Sequence, residues 1–145
     1  MLAVVDANEL FSLLIRGTSE SEEIFVSNKL QLIAPEFMLI EFLNNKEEIL
    51  SKTHRTEEEF SRLLSIFERR IKFIAQEEFN EFVPKALKLF PEHPKDMPYL
   101  ALALKFNCPV WSEEKLLKKQ SEAEVFNTKE LFKKLGLQSS FSSAA

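Results

Sequence analysis

Short apolar runs alternate with stretches of helical spacing along the whole chain. LAVV at 2–5, LQLIA at 30–34, IKFIA at 71–75, CPVWS at 108–112 and EVF at 124–126 are the short runs. Compact apolar runs bounded by polar or turn residues read as buried strands. Between them the apolar positions recur with the helical period. ANELFSLLIR carries Leu10, Leu13 and Leu14 in phase, and Gly17 is placed to stop it. Ser19 with Glu22, Thr56 with Glu59 and Asn127 with Glu130 have the spacing of helix starts. Pro35 suits the first turn of a helix through FMLIEFLNNKEEIL. TEEEFSRLLSIFERR, a stretch over roughly 77–90, MPYLALALKF after Asp96, and a short EEKLLKK complete the predicted helices.

Strand and helix alternating in this way predict a three-layer α/β/α domain. A central parallel sheet of four to five strands is covered by helices on both faces. Right-handed crossovers then limit the topology, and ligands are expected beyond the carboxyl ends of the strands. One domain is expected over 1–136. The remaining 137–145, ending in QSSFSSAA, reads as a flexible tail.

Composition narrows the picture. The chain has 145 residues, 45% of them apolar and 14 of them Phe, enough to build a core. A formal net charge of −4 argues against bulk neutralisation of phosphates, so a nucleic-acid contact needs a local basic patch or bound cations. Cys108 is the one cysteine, which excludes an intrachain disulfide and suits a reducing, cytoplasmic setting. With only His54 and His93 beside it, a structural zinc site is not expected. LAVVD lacks the basic start of a signal peptide, and no apolar run reaches membrane-spanning length, so no membrane association is expected.

The acids change the picture most. FMLIEFL at 37–43 sets one carboxylate, Glu41, among six apolar side chains. A charge in such a run needs a partner or a purpose. Asp6 ends the first strand, Glu113 and Glu114 follow the fourth, and Asp96 opens the helix that feeds the fourth. Carboxylates gathered at one end of a sheet repel one another, and a bound cation relieves the repulsion. Hard ions such as Mg²⁺ take oxygen ligands and promote phosphodiester cleavage. Each acid also has an ordinary reading. Asp6 and Asp96 can cap their helices, with Glu9 at the capping-box position after Asp6. Glu113 and Glu114 can be first-turn acids and Ser112 a cap. Glu41 can edge the core, and Asn8 can be a helix-start residue. Their joint placement at strand ends favours a site.

These residues resemble the PIN domain, a family of metal-dependent ribonucleases that includes the toxins of VapBC toxin–antitoxin pairs. The likeness runs from about residue 2 to 135. VVDANELFSLL resembles the opening motif, with Asp6 as the first metal acid and Asn8 in its supporting position. APEFMLIEFLNN resembles the second, with Glu41 as its glutamate. KDMPYLALALKFNCPVWSEEKLL resembles the third and fourth, with Asp96, Ser112 and Glu114. The family commonly has Asp where Glu114 stands, and Glu113 leaves that register open by one residue. The resemblance implies an endoribonuclease that uses Mg²⁺ or Mn²⁺ to cut RNA. Asp6, Glu41, Asp96 and Glu114 would be its catalytic, metal-binding acids, with Asn8 and Ser112 supporting them. It also implies a homodimer and an antitoxin partner. Lys46, Lys115, Lys118 and Lys119 are candidates to guide the RNA backbone.

Three rivals stand beside this reading. A PIN-like domain that binds RNA or protein without cutting is the nearest. A phosphoacceptor domain or aspartate phosphatase also places Asp after the first strand. That phosphatase wants a second Asp where Asn8 stands, and CPVWSEE lacks the receiver's lysine. A purely structural partner protein is the third.

Overall fold

The computed structural model describes residues 1–15, 18–92 and 94–138. Gly17, His93 and residues 139–145 of the expected tail lie outside the described residues. Five strands form one sheet: β1 Leu2–Val5, β2 Gln31–Pro35, β3 Ile71–Ile74, β4 Val110–Trp111 and β5 Val125–Phe126. The order is β3-β2-β1-β4-β5, and every pairing is parallel. Each strand sits where the apolar runs placed one.

β4 is shorter than CPVWS suggested because Pro109 has no N–H to give a ladder. The Val4 N–H still donates to Pro109 O at 2.9 Å, and the Ser112 N–H donates to Phe126 O at 3.0 Å. The chain thus stays beside the sheet on both sides of the two ladder residues.

The helices are α1 Ala7–Ile15, α2 Ser19–Val26, α3 Phe37–Asn44, α4 Lys46–Thr53, α5 Glu57–Arg70, α6 Val83–Leu89, α7 Met97–Phe106 and α8 Thr128–Lys134. They flank the sheet in the expected α/β/α layering. α7 packs on β1 and β2, and α5 packs on β3. Thr56 and Asn127 cap α5 and α8 in full capping boxes with Glu59 and Glu130. Thr18, not Ser19, caps α2, and Ser21 closes its box.

Three predicted helices change form. The helix through FMLIEFLNNKEEIL breaks into α3 and α4 at Asn45. There the Asn45 side chain donates to Glu41 O at 2.8 Å and its backbone N–H to the same oxygen at 3.0 Å, which closes α3. The stretch from 77 becomes 3₁₀ turns at Gln76–Glu78 and Asn80–Phe82 before α6. Pro84 fits only a first turn, so α6 starts beside it. EEKLLKK folds as a 3₁₀ turn over Lys115–Lys119.

One contiguous core runs from β1 through β2 and α7 to α8. Phe11 stacks on Phe42 at 4.7 Å, and Phe42 meets Phe67 at 5.4 Å. That aromatic chain binds α1, α3 and α5 together. Among the described residues, no helix is long and apolar enough to cross a membrane.

Candidate metal centre

The strand order reverses at β1. The chain steps outward to β2 and β3, then returns to place β4 on the other side of β1. In open parallel sheets the crevice at such a reversal is where ligands bind. Val4 pairs with Val110 and Val5 with Trp111, so the next residues, Asp6 and Ser112, emerge side by side. The Asp6 N–H donates to Trp111 O at 3.1 Å, and the Ser112 hydroxyl donates to Asp6 Oδ2 at 2.7 Å.

Asp6 is 3% exposed. Burial raises its pKa above the ordinary carboxylate range, and the nearby Glu114 charge adds to the rise. The Ser112 hydroxyl and the Asn8 amide work the other way. The Asn8 N–H donates to Asp6 Oδ1 at 3.2 Å, so Asn8 supports Asp6 through its backbone. The alternative of a capping box is not made, because the Asp6 N–H goes to Trp111 and not to Glu9. Glu9 is buried and turns toward Thr128, whose hydroxyl lies 3.4 Å from Glu9 Oε2.

A crevice of about 540 Å³ opens above Asp6. Asn8, Glu41, Asp96 and Glu114 line it with Asp6. Glu41 is exposed on the second turn of α3. Asp96 precedes α7 and makes no capping bond to it. Ser112 is no helix cap either. Its hydroxyl also accepts from the Glu114 N–H at 3.0 Å, which ties Glu114 to the Asp6 pair. The Glu114 side chain accepts from the Leu116 N–H at 3.1 Å and caps the following 3₁₀ turn.

Glu113 and Glu114 line different clefts. Glu114 faces the crevice. Glu113 turns to the other side of the sheet end, where its Oε1 accepts from the Thr128 N–H at 2.8 Å. It lies beside Glu9 in a second cleft that also holds Thr18, Glu20 and Lys129. Burial, with the Glu113 and Asp6 charges, raises the Glu9 pKa to about 8.

The donor set of the main crevice is all oxygen, which suits a hard divalent ion. Among the described residues no three acids are placed to hold an ion together as they stand. Mg²⁺ commonly uses one or two carboxylates and completes its shell with water. Asp6 is a buried carboxylate raised by burial and by a like charge, and a cation relieves both. The residues therefore fit a partly hydrated ion.

Residues 4–131 match the PIN domain family. The chain belongs to that family. The PIN fold is also seen in its likeness to a chain of the VapBC2 complex from Rickettsia felis, solved bound to a DNA fragment from their promoter. The TM-score is 0.63, with 14% identity over 88% of this chain and 98% of that one. No curated protein matches this PIN domain significantly.

Two lining residues escaped the motifs. Lys95, next to Asp96, and Tyr99, one turn into α7, both line the PIN crevice. The signal for Tyr99 was present: it is the one tyrosine in the chain, on a helix otherwise apolar up to Lys105. The four lysines suggested by sequence are not among the lining residues. Lys46 pairs with Glu57 at 3.4 Å, and Lys118 pairs with Glu130.

Proposed function

We propose that this PIN domain is a cation-dependent endoribonuclease, with Mg²⁺ or Mn²⁺ held directly by Asp6 and Asp96, and by Glu41 and Glu114 directly or through waters. One observation carries the reading: at the reversal of the strand order, a buried Asp6 bonded to Ser112 opens onto a crevice shared by three more acids. When bound, the ion supplies charge neutralisation for the phosphate and an activated water.

The chain's own residues do the rest. Ser112 holds the Asp6 carboxylate by its Oδ2, and the Asn8 amide holds Oδ1, so Asp6 points one way. Fixing the carboxylate in advance lowers the cost of organising it when the ion arrives. Lys95 stands at the rim and would meet the RNA backbone, the one part of the substrate whose charge suits it. Single-stranded RNA is the favoured substrate because its backbone can bend into a crevice.

A second reading has its own support. The Glu114 side chain already accepts a backbone N–H, and no three acids converge among the described residues. Both features suit a PIN domain that binds RNA or protein with little cutting.

The partners follow the same logic. Ile40 and Leu43 are 56% and 50% exposed on α3, an apolar strip that suits a second copy of the chain or an antitoxin. The complex that the R. felis relative forms supports the antitoxin reading, and a toxin–antitoxin role would place the protein in the cytoplasm.

The test is cleavage of a labelled single-stranded RNA with Mn²⁺ by the wild type and by Asp6→Asn. Cleavage by the wild type and its loss in the variant support the enzyme. Equal inertness, with RNA binding retained by both, supports the binding module instead.

A further inference from the structure

Tyr99 is 4% exposed, and its buried hydroxyl makes no full hydrogen bond: the Ala7 backbone N–H acts on its oxygen, but its own proton has no acceptor. A buried donor left unpaired is destabilising, and Phe would fill the same space without that defect. The ring itself is well placed. It meets Phe37 edge to face, with centroids 5.9 Å apart, so it joins α7 to the first residue of α3. Asp96 immediately precedes the first of these helices, and Glu41 lies on the second. Burial raises the Tyr99 pKa, and the Asp6, Glu41 and Asp96 charges raise it further. A tyrosine hydroxyl is a neutral donor at ordinary pH in any case.

The acids around it differ in their freedom. Asp6 is already held by Ser112 and Asn8. Glu114 is held by the Leu116 N–H. Glu41 is exposed, on the same helix as the Phe37 ring that Tyr99 touches. It is the acid most in need of an anchor when an ion draws it inward.

We propose that Tyr99 is a positioning residue for Glu41: with a divalent ion in the crevice, its hydroxyl donates to the Glu41 carboxylate. This rests on the cation-dependent reading of the crevice. The hydroxyl proton has no acceptor among its neighbours as they stand, and Glu41, drawn inward by an ion, supplies one. Partners that orient metal-binding side chains commonly change metal affinity by about 10–100-fold when removed.

The test is a double-variant cycle read by calorimetric titration with Mn²⁺. Tyr99→Phe keeps the ring and removes only the oxygen. Its ion-free melting temperature is expected to equal or exceed that of the wild type, since an unpaired donor is gone. Its Mn²⁺ affinity is expected to fall by about tenfold or more. In a Glu41→Gln background the same change is expected to have little further effect. Unchanged Mn²⁺ affinity in Tyr99→Phe overturns the proposal while leaving the cation reading intact. An equal loss in the Glu41→Gln background shows that the hydroxyl acts elsewhere, which also overturns it. Absence of Mn²⁺ binding by the wild type removes the cation reading, and this proposal with it.

Discussion

Glu9 and Asp6 are one turn apart at the same end of the sheet but line different clefts, and both are buried acids. Glu9 has the larger consequence for stability. Burial and the neighbouring Glu113 carboxylate raise its pKa to about 8 from the ordinary 4.5. The folded chain then holds a proton that the unfolded chain gives up between those values. Stability from this group is full below the lower value and falls as pH rises toward the upper one. The slope is at most about 1.4 kcal/mol per pH unit. Urea melts across that window are expected to show the decline in the wild type and a flatter profile in Glu9→Gln. Asp6 adds a decline of the same sign, because its pKa is also raised.

Lys95 makes a different residue-scale prediction. Lys95→Ala is expected to weaken single-stranded RNA binding evenly across sequences. The slope of log affinity against log salt should fall by about one unit, as for one lost phosphate contact. Titrations at several salt concentrations check it. An unchanged slope removes Lys95 from the backbone path.

At this scale the sequence was readable where one strand end decided the outcome. Asp6 and Ser112 each follow an apolar run, and parallel register brings them together. It was not readable where neighbours in sequence face opposite sides. Glu113 and Glu114 differ only through Thr128 and the crevice, which lie far apart along the chain. Glu9 misled for a related reason. Its spacing from Asp6 fits a capping box, but burial against Thr128 outcompetes the cap.

At the scale of elements, α3 is what aims Glu41. Phe42, the next residue, is 1% exposed, stacks on Phe11 and meets the tilted ring of Phe67. Met38, one turn back, is also fully buried. These two side chains fix the rotation of α3, so Glu41 falls on the crevice side. Phe42→Ala is expected to cost about 3–5 kcal/mol in urea unfolding, because it opens a cavity where three helices meet. A loss below about 1 kcal/mol would mean that the ring cluster repacks and does not set the helix. The strands were legible because short buried runs leave little choice. The break at Asn45 was less so, since a side chain competing for one carbonyl is a local detail beneath a continuous apolar pattern.

At the scale of the whole molecule, a chain of net charge −4 gathers acids at one end of its sheet. The fold holds that repulsion because the strand reversal and the core on either side leave the acids no other place. An ion that binds only the folded form must then raise stability by mass action. At about a hundredfold over its dissociation constant the gain is about 2.7 kcal/mol. For a domain of this size that is a rise of roughly 5–10 °C in melting temperature. Mn²⁺ is expected to produce it in the wild type. Asp6→Asn should melt no lower than the wild type without the ion, since a buried carboxylate is replaced by a neutral amide. It should gain little when Mn²⁺ is added. Sodium chloride at matched ionic strength separates specific binding from screening, because screening acts on both proteins alike. A rise of equal size in the variant would show that the ion's stabilising effect does not depend on the Asp6 carboxylate, and would move the metal centre away from the strand reversal.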